Sequence, residues 1–341
     1  MVAAGSRSSQ DVEEIAGALV RLGLCEPAAV LVLEPLAGGV SSDIFRIGTP
    51  SGPVVVKRAR PTLRTASPWH VSVERNRHEY AWLEVAGRVI PDSVPTLLGR
   101  DDVAGLFAMS YFDPVDNPVW KPELVAGRID AAMATAVGDR LGRLHAATAD
   151  DPALATRFAT DDLFAALRLD PYLTATAAVH GDLADRILAL RDRTATIRRV
   201  LVHGDVSPKN LLVGPHGPVF LDAECAWFGD PAFDLAFCTN HLVLKSIWLP
   251  DLRDSLVAAS GVLIAAYLQH VAWEQARNLE QRAATLLPAL MLARVDGTSP
   301  VEYLDDASRE RVRRRAADLL IHGPDELAAV VVAATDGGSG G

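Results

Sequence analysis

Residues 200–213 read Val200-Leu201-Val202-His203-Gly204-Asp205-Val206-Ser207-Pro208-Lys209-Asn210-Leu211-Leu212-Val213. Two short apolar, β-branched runs frame a polar loop that carries an Asp and an Asn five residues apart. Seventeen residues beyond Asp205, Asp222 closes a third run, Val219-Phe220-Leu221. Phosphoryl transfer calls for such a trio: a carboxylate beside the attacking hydroxyl, and an amide oxygen plus a second carboxylate to hold Mg²⁺ on nucleotide phosphates. The spacing therefore assigns Asp205 to catalysis and Asn210 and Asp222 to the metal.

The chain contains its own control. His180-Gly181-Asp182 repeats the triplet, but Ile187 stands where the Asn would be and no carboxylate follows from a strand end. Asp182 is accordingly expected to be a helix N-cap. The full Asp205, Asn210, Asp222 pattern carries the argument, and the bare triplet does not.

With these residues in place, the segment resembles the catalytic loop and metal site of the aminoglycoside phosphotransferase and choline kinase group, small-molecule kinases distantly related to protein kinases. His-Gly-Asp stands for their His-Arg-Asp, and Asp222-Ala223-Glu224 for Asp-Phe-Gly, which removes the mobile Phe switch. Gly229-Asp230-Pro231-Ala232-Phe233-Asp234-Leu235-Ala236 also matches the group, in which the residue at Asp234 buttresses the catalytic loop. The resemblance extends over residues 29–245. It implies an α+β, two-lobed protein-kinase-like fold, with a small antiparallel sheet and one helix in the first lobe and a larger, mainly helical second lobe.

Working outward, Val54-Val55-Val56-Lys57 is a buried strand whose alternation puts Lys57 on the face of Val55. Lys57 is the expected cation on the nucleotide phosphates, with Glu79 as its partner in preference to Glu74 and Glu84. Gly38-Gly39-Val40-Ser41-Ser42-Asp43 lies where the group places a loop over the phosphates, with Ser41 and Ser42 as hydroxyl contacts; it is neither Gly-x-Gly-x-x-Gly nor a Walker loop. Leu106 to Phe112, followed by Asp113-Pro114, resembles the strand entering the inter-lobe hinge. Purine contact is expected at Ser110, Tyr111 and Phe112, with Met109 either gatekeeper or core. His145 and Asp234 are expected to be structural. Lys245 and Arg294 are candidates for meeting an anion, and Glu274, Asp296 and Glu302 for meeting a cation.

Composition bounds the remainder. The chain has 341 residues, 49% hydrophobic and 22% charged, which suits a folded enzyme of two lobes. A formal net charge of −10 argues against a phosphate-backbone binder, so no nucleic acid partner is expected. Apolar runs fall short of a bilayer span, no membrane partner is expected, and Cys25, Cys225 and Cys238 lack metal or disulfide spacing. A cytoplasmic setting is the resulting expectation.

Residues 1–28 are read as an N-terminal segment with a short helix, 29–112 as the nucleotide-binding lobe, 113–335 as the helical lobe with catalytic loop and acceptor site, and 336–341 as a Gly/Ser tail. Strands are expected at 30–36, 44–47, 54–58, 96–99, 106–112, 200–202, 211–213 and 219–222. One helix is expected at 72–87, and further helices at 129–149, 182–192, 233–249, 252–280, 282–295 and 307–321. The implied activity is ATP- or GTP-dependent, Mg²⁺-requiring transfer to a small-molecule hydroxyl. A sugar hydroxyl of an aminoglycoside or nucleoside antibiotic, of the capuramycin phosphotransferase kind, would give resistance by inactivation. Methylthioribose, choline, homoserine and fructosamine kinases, and a catalytically silent binding module, are the alternatives.

Overall fold

A computed structural model describes residues 9–27, 29, 31–36, 42–59 and 74–336. Strands β1 (Leu33–Pro35), β2 (Ser42–Thr49), β3 (Gly52–Ala59), β4 (Leu97–Asp101) and β5 (Leu106–Ser110) form one antiparallel sheet in the order β1-β2-β3-β5-β4. The strand pleat sorts its two faces. Val54, Val56, Phe45, Ile47, Leu106 and Ala108 bury against Ile15, Ala18 and Leu19 of helix α1 (Ser9–Arg21). Val55, Phe107 and Met109 join the main core on the other face, beside helix α2 (Arg75–Val89). Lys57 shares that second face because it is two residues from Val55. In register it opposes Ile44 on β2 and Phe107 on β5, so its backbone is held on both sides.

The rest is helical: α3 (Trp120–Val125), α4 (Ala131–Thr148), α5 (Pro152–Arg157), α6 (Asp161–Phe164), a π-helical segment (Ala165–Thr174), α7 (Ala175–Val179), α8 (Ala184–Thr196), α9 (Pro231–Trp248), α10 (Arg253–Leu268), α11 (Ala276–Asp296), α12 (Asp306–His322) and α13 (Leu327–Thr335). Two antiparallel strand pairs interrupt it, the hairpin of β7 (Leu211–Gly214) with β8 (Gly217–Phe220) and, flanking it in the chain, β6 (Val200–Val202) with β9 (Trp227–Gly229). Caps explain several starts. Asp130, Asp230 and Asp305 accept from backbone N–H groups in the first turns of α4, α9 and α12, and Pro231 opens α9 where its missing N–H costs nothing. Helices α4 and α10 pack with their backbones close: a Cβ on Gly138 would lie 2.1 Å from the Leu263 carbonyl oxygen. Among the described residues no helix is long and apolar enough to cross a membrane.

Some expected elements change. The helix expected at 252–280 is two helices, because residues 269–275 leave the helical path. His270 reaches Asp139 at 2.9 Å, and the Trp273 carbonyl accepts from Arg199. These tertiary bonds replace the helical ones a continuous helix would have made. Helix α11 then starts before position 282 and runs through Pro288. Asp182 is not a helix N-cap: α8 begins at Ala184 with Leu183 at the cap, and Asp182 sits exposed in the preceding turn. Strand β5 stops at Ser110 rather than Phe112, and β8 stops at Phe220, two residues short of Asp222. Residues 72–73, the expected start of the α2 helix, lie outside the described residues.

Candidate active site

The strands of the helical lobe exist to hold one loop. Backbone N–H groups of His203 and Gly204 donate to the two carboxylate oxygens of Asp234, at 2.7 and 2.8 Å, and Asp234 is fully buried on α9. His145 of α4 lies 3.4 Å from the same carboxylate and contacts the Tyr267 hydroxyl through Nδ1 at 2.8 Å. His203 folds back on the loop: its Nδ1 accepts from the Asp205 N–H at 3.1 Å, and its Nε2 donates to the Leu221 carbonyl at 3.1 Å. Those two bonds require a neutral ring. Burial pushes its pKa below the usual value, against the pull of Asp234 and Asp205.

Gly204 adopts φ +79°, and a Cβ there would lie 2.7 Å from the Cys225 carbonyl oxygen. Only glycine fits a left-handed residue pressed against the backbone of the turn that precedes β9. This explains the central residue of the triplet in steric terms.

Asp205 is buried and meets two cations, Arg168 Nη2 at 3.0 Å and Lys209 Nζ at 3.1 Å. Burial would raise its carboxyl pKa, but Lys209 and Arg168 together hold it below the usual carboxylate range. Asn210 donates from Nδ2 to the Asp205 carbonyl at 3.1 Å, which leaves its amide oxygen as the atom offered to a cation. Asp222 sits at φ +67°, an uncommon conformation for a non-glycine residue. Its carboxylate meets Lys57 Nζ, which also lies 2.6 Å from Glu79 Oε2. Burial opposes charge on all three groups. The two carboxylates nevertheless raise the Lys57 pKa, and Lys57 depresses Asp222 to about 2; Glu79, the most enclosed, is pushed up to about 7.

Lys57, Glu79, Asn210 and Asp222 line one cavity of about 330 Å³ between the sheet and the helical lobe. Met109, Ser110, Tyr111 and Phe112 line its far wall, with Leu36, Ile44, Val55 and Leu212 supplying apolar surface. Ser110 spends its backbone N–H on the Thr96 carbonyl and its hydroxyl on the Thr96 N–H, at 2.9 and 3.0 Å. Ser42 is buried at the start of β2 opposite Ala59 and is not part of this lining. Ser41 lies outside the described residues. Glu74 is exposed and pairs with Arg77, and Glu84 pairs with Arg157, so neither rival approaches Lys57.

Two participants went unassigned in the sequence. Lys209 stands inside the quoted loop, one residue before Asn210, and its position alone could have flagged it. Arg168 had no such signal: it lies far upstream in an Ala/Leu-rich stretch and reaches Asp205 only because the π-helical segment, with Pro171 inside it, turns it inward. There it also donates to the Gly204 and Leu167 carbonyls. Glu224, the third residue of Asp-Ala-Glu, pairs with buried Arg75 of α2 at 3.1 Å and ties the helix of the small lobe to the loop after Asp222.

A small sheet with one inner helix, set over a helical lobe with a charged cleft between, defines a kinase-like fold. The chain belongs to the APH phosphotransferase enzyme family, whose model matches residues 32–279, and it is a small-molecule kinase. It is 26% identical over 282 residues to the methylthioribose kinase of Yersinia enterocolitica, covering 74% of this chain and 69% of that protein. It is 27% identical over 270 residues to the methylthioribose kinase of Pectobacterium atrosepticum, covering 70% and 66%. The chain thus spans about two thirds of the length of these curated relatives. Among solved structures, Plasmodium vivax ethanolamine kinase aligns with TM-score 0.56 at 12% identity, over 93% of this chain and 97% of that one. Amicoumacin kinase hAmiN, solved with AMP-PNP and Ca²⁺, aligns with TM-score 0.53 at 13% identity, over 94% and 95%. These likenesses show the fold.

Proposed function

We propose that the chain transfers the γ-phosphoryl group of ATP to a hydroxyl of a small metabolite, with Asp205 as the residue that orients the hydroxyl and accepts its proton. Residues 29–112 hold the nucleotide, and the helical lobe from 113 onward presents the acceptor. The observation that carries this reading is the convergence of Lys57, Glu79, Asn210 and Asp222 on one cavity, with Asp205 joined to it through Lys209 and Asn210.

Asn210 and Asp222 offer one amide oxygen and one carboxylate, a donor set that suits Mg²⁺ arriving with phosphates rather than a cage of protein ligands. When bound, the cation neutralises charge on the β- and γ-phosphates. Lys57, aimed by Glu79, lies beside Asp222 and supplies a fixed positive charge to the α- and β-phosphates. The purine reads against Tyr111 and Phe112, since the Ser110 N–H and hydroxyl are already engaged with Thr96. ATP is preferred over GTP here only on the family's behaviour, and hAmiN binds an ATP analogue.

Asp205 is suited to its role because Arg168 and Lys209 keep it ionised and stationary. As the hydroxyl oxygen bonds to phosphorus, the bond to the ADP leaving oxygen breaks and the hydroxyl proton passes to Asp205. The named relatives favour a metabolic, sugar-type acceptor over an antibiotic. A product-resolved phosphorylation screen of metabolites and antibiotics with ATP or GTP and Mg²⁺ tests the proposal. Asp205→Asn is expected to lose at least about 10²-fold in turnover while nucleotide affinity persists. Substantial retained turnover, or Mg²⁺-dependent nucleotide binding without any phosphorylated product, contradicts it.

A further inference from the structure

The helical lobe holds a group of cations that the nucleotide site does not use. Lys245 of α9 is 1% exposed, and among the described residues its hydrogen bond goes only to the His241 carbonyl one turn back, at 3.4 Å. The Tyr303 ring has the Lys245 amine at 5.4 Å and the Lys121 amine at 5.7 Å from its centre. Arg294 of α11 donates to the Ser299 carbonyl and contacts the Tyr172 hydroxyl at 3.3 Å and the Ser299 hydroxyl at 3.0 Å, all of them neutral. The one carboxylate ion-paired within the group among the described residues, Glu302, is on Lys121 at 2.5 Å. Among the described residues, His241 Nε2, Arg294 Nε and the Tyr303 hydroxyl are buried without a hydrogen-bond partner, and His241 as a whole is 7% exposed.

This group adjoins Asp205. The Tyr172 ring carries Arg294 at 5.7 Å and Arg168 at 5.8 Å from its centre, and Arg168 is the guanidinium paired with Asp205. Helix α3, which bears Lys121, packs on the turn of residues 208–210 and on β7. Phe237 links Arg168 to His241, at 5.8 and 5.2 Å.

Lys121 is partly exposed and paired with Glu302, but among the described residues neither Lys245 nor Arg294 has a carboxylate within ion-pair distance, and buried donors left unpaired are costly. Burial, then Lys121 and Arg294, depresses the Lys245 pKa to about 7, and burial with Lys245 and Arg294 pushes His241 well below its ordinary value. An incoming anion would offset the mutual repulsion of these cations, though not their burial. The carboxylates that a cationic acceptor would need are occupied: Glu274 by Arg282, and Asp296 by Arg313 and His180.

We propose that the acceptor is itself an anion, a small hydroxy acid whose carboxylate or phosphate is held by Lys245, Arg294 and Lys121 while its hydroxyl is presented to Asp205. This rests on the kinase reading of Asp205 for the transfer step, but the anion site stands on its own geometry. The hydroxyl oxygen bonds to the γ-phosphorus, the bond to ADP breaks, and the proton moves to Asp205, leaving the anionic group unchanged.

The test has two arms. Thermal melting of the full chain is followed against inorganic phosphate and acetate at constant ionic strength, with chloride as reference, for wild type, Lys245→Met and Arg294→Gln. Wild type is expected to show a saturable rise of about 2 °C or more that both variants lack. Circular dichroism checks that the variants fold, and Lys→Met keeps the side-chain length. In the second arm, ATP turnover with mass-resolved products compares gluconate and ribose 5-phosphate with sorbitol, ribose, glucosamine and kanamycin. Transfer is expected to the anionic members, and Lys245→Met should raise their KM about tenfold or more with nucleotide affinity unchanged.

No saturable anion response in wild type, or one that survives in both variants, overturns the proposal. So does transfer confined to neutral or cationic acceptors, which leaves the kinase reading intact. A saturable response lost in the variants, without transfer to any acceptor, supports the anion site and sinks the kinase reading instead.

Discussion

Replacing Gly204 by Ala tests whether the catalytic loop is held as described. At φ +79° an L-residue costs about 1–2 kcal/mol, and the new methyl would sit 2.7 Å from the Cys225 carbonyl oxygen and 2.8 Å from its Cβ. Neither neighbour is the flexible end of a long side chain, so overpacking adds about 1–3 kcal/mol. A total of about 2–5 kcal/mol corresponds to a fall of roughly 3–7 °C in Tm for a chain of this size. Relief of the clash must move the peptide leading to Asp205, and a displacement near 1 Å at a reacting group costs on the order of 10²-fold in rate. Gly181 of the second His-Gly-Asp triplet supplies the control. A Cβ there meets nothing within 4 Å and its φ is not positive, so Gly181→Ala should stay within about 0.5 kcal/mol of wild type. Differential scanning calorimetry and ADP-release kinetics on both variants decide the matter. If the two melt together, or Gly204→Ala turns over at the wild-type rate, the steric account of the loop is wrong.

Two further outcomes are expected. Asp222→Ala should abolish the Mg²⁺-dependent part of nucleotide binding, and an unchanged Mg²⁺ titration by calorimetry would remove Asp222 from the metal site. Lys245 makes stability depend on pH. Its folded pKa, about 7, lies below the unfolded value near 10.4, so between these limits the unfolded chain binds more protons and stability rises with pH. Lys121, Arg294, Glu302, Cys238, His241 and Tyr303 surround the amine and are unchanged in Lys245→Met. In urea melts without added anion, wild type should gain on the order of a few kcal/mol from pH 7 to 10 relative to this variant. Parallel profiles would show that the Lys245 amine is not held in the environment described.

The residues that share the cleft were largely legible in the sequence. Lys57 could be placed because strand alternation is a local rule, and Glu79 because it fits the family resemblance best, with apolar residues three and four positions after it. The expected hydroxyl loop fared differently: Ser42 is buried in β2, while Ser41 lies outside the described residues. The broken helix at 269–275 was illegible because its residues have adequate helical propensity, and contacts to Asp139 and Arg199 outweigh it. Asp182 looked like a cap because triplet and helix were both present, but the helix starts two residues later.

By itself the sequence determined which atoms are available for the proposed chemistry: a carboxylate, an amide and a second carboxylate at fixed spacing beside short strands, and a lysine on a buried one. Those constraints are local, set by chain geometry over a few residues. Only the tertiary structure decided that Arg168 and Lys209 clasp Asp205, and that Lys121, Lys245 and Arg294 gather beside it with Glu302 on Lys121 as the one ion-paired carboxylate among the described residues. Side chains brought together from separate helices leave no periodic trace, because packing rather than spacing selects their neighbours.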